Sequence, residues 1–368
     1  MSLPFFKLPL DVPNYPADRY APLADRLKRL LGTQSDVLFI QAEALLALEA
    51  AASSIARPGL TAINIVTSPY GAYFGAWLKR GGVSVHEVLA EPGQPIARSA
   101  VAAALDDQAS LDIVAVVHGE GANGALNPLA EIAALVRAKG ALLVVDAVAS
   151  VGAHRLEVDA LGIDIAVIGA QKALAGPVGL SAVTVTSRAW AEIAKSRDFS
   201  PSSLSLAEIK TNWLDRGRGA LPGTPPPLEF WALEAALDRV EAEGLGNVVA
   251  RHQLAAKASR AGLRALGIVP WIADDACASA LVTSAPVPSG IDDRVLIAAA
   301  ARLGVPLGRG FGTIEGKLVR LDHTGARAAF GTVLANVVAY GSALESLGRS
   351  ADIGAGAAAV AAVYAAAE

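Results

Sequence analysis

Ala141-Leu142-Leu143-Val144-Val145-Asp146-Ala147-Val148 and, a little further on, Ile163-Asp164-Ile165-Ala166-Val167-Ile168-Gly169-Ala170-Gln171-Lys172 decide the fold. Both are short apolar runs rich in Val, Ile and Leu, as expected for strands covered on both faces of a parallel sheet. The first ends in a carboxylate and the second leads into an amine. Open α/β sheets collect ligands at the carboxyl ends of their strands, so Asp146 and Lys172 stand where chemistry is done.

Outward from this pair the pattern repeats. Val37 to Ile40, Ala62 to Val66, Ser84 to Val88, Ile113 to Val117, Ala141 to Val145, Ile163 to Ile168 and Ser181 to Thr186 read as seven strands of one sheet. Helical periodicity fills the gaps over Ala44 to Ser54, Gly71 to Arg80, Ala97 to Leu105 and Pro128 to Lys139, with Pro128 in a first-turn position and Gly140 as the stop. Phe199 to Pro227 is rich in Ser, Gly and Pro and reads as an ordered excursion. Helices over Leu228 to Glu243 and Asn247 to Leu266 follow. Strands Val269 to Ile272, Ala280 to Thr283 and Leu318 to Leu321, with helices Asp292 to Leu303 and Ala326 to Leu347, complete a smaller α+β domain. The expected division is an N-terminal arm over 1–25, a large domain over 26–250, a small domain over 251–350 and an Ala-rich tail over 351–368, the last a helix on the surface or partly frayed.

Composition narrows the function. The formal charge is −4, with no block of Lys or Arg, which argues against nucleic acid or an anionic membrane as the partner. Cys277 is the only cysteine, so an internal disulfide and a Cys-based metal site are excluded, and no metal is expected. Mean hydropathy is +0.43, yet no run is long and apolar enough to span a bilayer. The start, Met1 to Pro9, lacks a basic region followed by an apolar stretch, so a cytoplasmic location is expected.

An amine and a carboxylate on adjacent strand ends suit pyridoxal phosphate: the lysine for a Schiff base, the aspartate for the pyridinium nitrogen. Taken singly, Asp146 reads as a turn cap and Lys172 as a solvated loop lysine. Neighbouring features shift that balance. Val148 is placed to press on one ring face. Tyr70, in Thr67-Ser68-Pro69-Tyr70-Gly71, follows another strand and is placed to stack, or else is an ordinary half-buried aromatic. His118-Gly119-Glu120-Gly121-Ala122-Asn123-Gly124 either presents polar groups to the ring oxygen or substrate, or is a turn using Gly and Asn. Gln41-Ala42-Glu43-Ala44-Leu45 lies between a strand and a helix N-terminus, the right place for a phosphate cradle. It lacks Gly and hydroxyl residues, and Glu43 would need to point elsewhere.

Gly124-Ala125-Leu126-Asn127-Pro128-Leu129, Val144 to Ser150, Gly169-Ala170-Gln171-Lys172 and Gly176-Pro177-Val178-Gly179-Leu180 together resemble the class V aminotransferases of pyridoxal-phosphate fold type I. The nearest subgroup is the alanine/serine-glyoxylate and pyridoxamine-pyruvate aminotransferases. The resemblance spans most of residues 36 to 347. It implies that fold, a homodimer with sites at the subunit interface, and transfer of an amino group between a small amino donor and glyoxylate or pyruvate by a ping-pong route. It further implies that Lys172 forms the Schiff base, Asp146 pairs with the ring nitrogen, and Val148 and Tyr70 sandwich the ring. Glu43, Ala44, Leu45 and Gln171 then line the phosphate, with Thr224 reaching it from the other subunit. Arg320 clamps the substrate carboxylate, and Arg309 is a second candidate clamp.

Three departures stand out. The family carries Thr or Ser after the acid where this chain has Gly121, the N-terminal Gly-Pro loop is not recognisable in Phe5 to Tyr20, and the phosphate loop lacks small polar residues. Two rivals follow: a fold type I lyase or desulfurase, for which Cys277 has no supporting motif and Gln171 stands where histidine is usual, and a cofactor-binding protein without turnover.

Overall fold

The structure is a computed structural model that describes residues 12–196 and 201–367. Its large sheet contains β1 (Asp36–Ile40), β2 (Thr61–Val66), β3 (Ser84–Leu89), β4 (Ile113–Val117), β5 (Leu142–Asp146), β6 (Ile165–Gly169) and β7 (Ser181–Val185). They lie in the order β1-β7-β6-β5-β4-β2-β3, and β7 alone runs against its two neighbours. All five residues of β4 and of β6 are buried, as their unbroken apolar sequences require. The register places Asp146 between Val117 and Val167, so the carboxylate emerges at mid-sheet.

Because β1, β2, β4, β5 and β6 point the same way, their carboxyl ends open on one edge. The Ala44–Ile55 helix follows β1 and the Pro69–Arg80 helix follows β2. Ser68 caps the latter by accepting from the Tyr70 N–H, with Pro69 in the first turn. The Leu129–Lys139 helix ends at Gly140, whose φ of 74° is the left-handed conformation a helix stop needs. Pro128 is the residue before this helix rather than in its first turn.

A three-stranded antiparallel sheet follows, with β8 (Val282–Pro286), β9 (Gly308–Arg309) and β10 (Leu318–Asp322) in the order β8-β10-β9. The strand expected over Val269 to Ile272 does not form. Pro270 has no N–H to give a ladder, and a single bond from Trp271 N–H to the Ser284 carbonyl ties the segment down. The third strand is instead the two-residue β9.

The hydrophobic core has two main clusters. One cluster runs from Tyr15 to Val248 around the large sheet, and the second, from Ala255 to Val360, packs the small sheet against its helices. The Tyr20–Leu30 helix, which the strand pattern did not suggest, buries Tyr20, Leu23, Ala24 and Leu27 in the first. The Ala-rich end forms the Ile353–Ala365 helix, and Val360 enters the second core. Within the excursion over 201–227, a short helix at Leu206–Ile209 and a wide turn at Lys210–Leu214 bury Leu206 and Trp213. The excursion's first residues, and the Phe5 to Asp11 part of the N-terminal segment, lie outside the described residues.

Candidate active site

The strand ends surround a small cavity of about 40 Å³ lined by Glu43, Leu45, Tyr70, Asp146, Val148 and Lys172, among others. Lys172 sits in the turn after β6. The Ala175 N–H closes that turn on the Lys172 carbonyl at 3.0 Å, with Ala175 in the left-handed region at φ 53°. A side chain at Gly325 would approach the Lys172 carbonyl to 3.1 Å, so the small domain presses on the turn that presents the lysine.

Burial lowers the Lys172 pKa and Arg320 lowers it further, while Asp322, Glu43 and Asp146 act to raise it. An amine held below its ordinary range is a better nucleophile and proton carrier near neutrality. Asp146 accepts from the Val148 N–H at 2.9 Å. Burial pushes its carboxyl up to about 6, against that N–H and the Lys172 charge. A positive ring nitrogen brought beside it would restore its charge.

Gly169 brings the floor together: a Cβ there would meet Gln171 Oε1 at 2.4 Å, Val148 Cγ1 at 2.8 Å and Ala44 Cβ at 3.1 Å. Tyr70, which lines the same cavity as Val148, packs edge-on to Phe311, with ring centroids 5.4 Å apart. These contacts suit a flat pyridine ring between Val148 and Tyr70, joined through Lys172 and neutralised by Asp146.

The other end differs. Glu43 does not point elsewhere: its Oε2 accepts from the Leu45 N–H at 2.8 Å and its Oε1 from Gln171 Nε2 at 3.2 Å. A carboxylate thus caps the helix N-terminus at the place expected for the phosphate. A dianion seated there would face a negative charge, whereas an uncharged hydroxymethyl group would not.

Glu120 is fully buried and does not line the cavity. Thr67 Oγ1 donates to it, and burial pushes its carboxyl up to about 7, against hydrogen bonds from Ser68 and Thr67. Asn127 donates to Thr67 Oγ1 at 2.9 Å and Asn123 to the Thr67 carbonyl at 2.9 Å. This network fixes the turn that carries Tyr70. Sequence reasoning missed it, although Thr67 and Ser68 adjoin Tyr70, Asn123 lies in the His118 to Gly124 turn and Asn127 follows three residues after that turn.

Arg320 Nη1 donates to the Gly121 carbonyl at 3.0 Å, which brings β10 to the cavity wall, and its Nε is buried with no partner. That leaves a donor for a carboxylate. Arg309 is engaged elsewhere: Nε binds Asp293 at 2.7 Å and Nη2 binds Glu315 at 2.9 Å. Thr224 is exposed, in a segment tied to the cradle where Gln41 Nε2 donates to the Pro222 carbonyl at 3.1 Å. Cys277 Sγ lies 3.6 Å from Asp274 Oδ2, and burial followed by that carboxylate raises its pKa, the reverse of what a nucleophilic thiol needs. Among the described residues no cluster could hold a metal, and no helix is long and apolar enough to cross a membrane.

A seven-stranded, mainly parallel sheet with a lysine and an aspartate on adjacent strand ends defines a pyridoxal-phosphate fold type I enzyme, and the family comparison agrees. The model of the class V aminotransferases matches residues 17–330, and the chain belongs to that family. It is 36% identical over 340 residues to the pyridoxamine–pyruvate transaminase of Mesorhizobium japonicum, covering 92% of this chain and 86% of the relative. It is 28% identical over 314 residues to the serine–glyoxylate aminotransferase of Arabidopsis thaliana, covering 82% and 76%. The crystal structure of pyridoxamine-pyruvate aminotransferase from Mesorhizobium loti superimposes with a TM-score of 0.89 at 35% identity, over 95% of this chain and 89% of that one. Class V aminotransferases depend on pyridoxal phosphate and transfer amino groups between small amino and oxo compounds.

Proposed function

We propose that this enzyme moves an amino group from a small amino donor such as alanine or serine to glyoxylate or pyruvate in two half-reactions, as a homodimer. The observation that carries the reading is that the half-buried Lys172 amine and the Asp146 carboxylate line one cavity, and that Arg320 reaches the wall of that cavity through the Gly121 carbonyl. The pyridine ring, when bound, supplies the electron sink for a substrate carbanion. Lys172 gives the covalent attachment point and, once freed, carries the proton to and from the substrate carbon. Asp146 keeps the ring nitrogen protonated. Arg320 holds the substrate carboxylate in a fixed orientation, with charge-assisted hydrogen bonds of about 1.5–3 kcal/mol. In the dimer, Thr224 of the partner subunit approaches the Glu43 end.

The test is to supply the purified protein with pyridoxal phosphate, alanine or serine, and pyruvate or glyoxylate. Amino-group transfer that disappears in Lys172→Ala is expected. No transfer across a broad panel of donors and acceptors overturns the proposal.

The Glu43 cap favours a second reading, in which the ring compound is itself the amino donor and carries no phosphate. The relative from Mesorhizobium japonicum is named for pyridoxamine and pyruvate. Protein freed of bound ring compounds would then convert pyridoxamine and pyruvate directly, and added pyridoxal phosphate would not be required. Strict dependence on the phosphorylated form rejects this reading and keeps the first.

A further inference from the structure

The strand face that carries Arg320 carries a second charged side chain. Alternation along β10 sets Leu318, Arg320 and Asp322 on one side and Val319 and Leu321 on the other. Val319 and Leu321 belong to the small-domain core. Leu318 instead packs with Ala122 and Ile314 against Tyr70 and Phe311, at the cavity wall. Asp322 therefore shares the side of β10 that meets the active site. Beyond it the chain runs through His323 and Thr324 to Gly325, which abuts the Lys172 carbonyl. Asp322 is half-buried, and among the described residues its carboxylate has neither a hydrogen bond nor an ion pair within reach. Its charge is nonetheless felt at Lys172, opposing that of Arg320.

An unpaired carboxylate beside a covalent lysine and a carboxylate clamp needs a role. We propose that Asp322 is a specificity-determining residue that restricts the substrate side of this site to monocarboxylates. The inference rests on the reading that Arg320 clamps the carboxylate next to the reacting carbon. Side chains two apart on a strand emerge roughly 6.5 Å from each other. With one carboxylate on Arg320, the second carboxylate of a four- or five-carbon diacid extends into the neighbourhood of Asp322. Two negative charges at such a separation in a partly buried site repel strongly enough to cost about tenfold or more in affinity. Alanine, serine, pyruvate and glyoxylate carry no second carboxylate and escape the penalty. Aspartate, glutamate and their oxo acids do not. A polar hydroxyl, as in serine, gains an acceptor in Asp322.

Binding isotherms of propionate and succinate, neither of which reacts, test this without turnover. The wild-type protein is expected to prefer propionate by about tenfold or more. In Asp322→Asn the preference should collapse to within about threefold, mainly through tighter succinate binding, and Asp322→Ser should behave alike if the first variant folds poorly. Arg320→Ala should weaken both acids together. An unchanged ratio in both Asp322 variants overturns the assignment while leaving the Arg320 clamp intact. If neither acid binds the wild type, or Arg320→Ala leaves both affinities unaltered, the clamp fails and the Asp322 assignment falls with it. As a second readout, kcat/KM for oxaloacetate relative to pyruvate should rise by a similar factor in Asp322→Asn, and a ratio that does not move counts against the proposal.

Discussion

Asp146 and Glu43 are both carboxylates at the edge of the same cavity, each accepting from a backbone N–H two residues further on. Their surroundings separate them. Asp146 ends a central strand, is desolvated by the sheet, and has only one N–H and the Lys172 charge to offset its burial. Glu43 begins a helix, where the dipole and the Leu45 N–H favour its charge, and it also takes the Gln171 amide. The strand-end carboxylate is left needing a cation, which a pyridinium would supply. The helix-end carboxylate already has what an anionic ligand would have come for.

The largest effect should come from the partner of Asp146. Lys172→Ala is expected to reduce turnover by about a thousandfold or more, measured by single-turnover and steady-state rates. Rates within tenfold of wild type would show that another group carries the proton. Asp146→Asn, which keeps shape and removes charge, should cost about a hundredfold in kcat/KM. A smaller loss from Glu43→Ser is expected in the same assay, and a loss equal to that of Asp146→Asn would break the contrast between the two carboxylates.

Glu43→Ser keeps a side chain able to cap the helix while removing the charge. The ratio of affinities for phosphorylated over unphosphorylated pyridoxal should rise by about tenfold, read by absorbance titration. No change in that ratio breaks the claim that Glu43 opposes a phosphate.

Glu120 extends the comparison to stability. Its folded pKa, raised to about 7, means that the folded protein holds a proton which the unfolded chain releases near the ordinary carboxylate range. This contribution is fully present below about pH 4.5 and is lost as pH rises through about 7. Asp146 acts in the same sense up to about 6. The buried His118 and His323, held down to about 3, act oppositely, their contribution being lost as pH falls. The measurement is therefore a difference: between pH 4.5 and 7, Glu120→Gln should gain in thermal stability relative to wild type as pH rises. A difference that is flat with pH contradicts the burial argument.

The smallest effect is expected at Arg309. Held by Asp293 and Glu315, it should lose less than about threefold in kcat/KM on replacement by Ala, with little change in stability from a solvent-screened pair. A loss as large as that of Arg320→Ala would restore it as a second clamp.

Much of this was legible in the chain. Continuous Val and Ile runs mark strands buried on both faces, and a charged residue at such a strand end is costly unless used, so Asp146 and Lys172 stood out. Direction of a side chain is a different matter. Nothing in Gln41 to Leu45 says whether Glu43 turns away or caps its own helix, since that depends on Gln171 arriving from far along the chain. Asp322 hid in an apolar strand, where its charge looked like a terminus. Val269 to Ile272 had strand composition but no neighbour able to pair around Pro270. The Tyr20–Leu30 helix went unread, although Tyr20, Leu23, Ala24 and Leu27 are spaced along one helical face.

The central claim is that Lys172 is the covalent anchor for the pyridine aldehyde. Borohydride reduction of the protein with pyridoxal or pyridoxal phosphate, followed by peptide mass spectrometry, tests it most directly. The reduced pyridoxyl adduct should fall on Lys172 and vanish in Lys172→Ala. An adduct confined to other lysines, or none at saturating aldehyde, would contradict it.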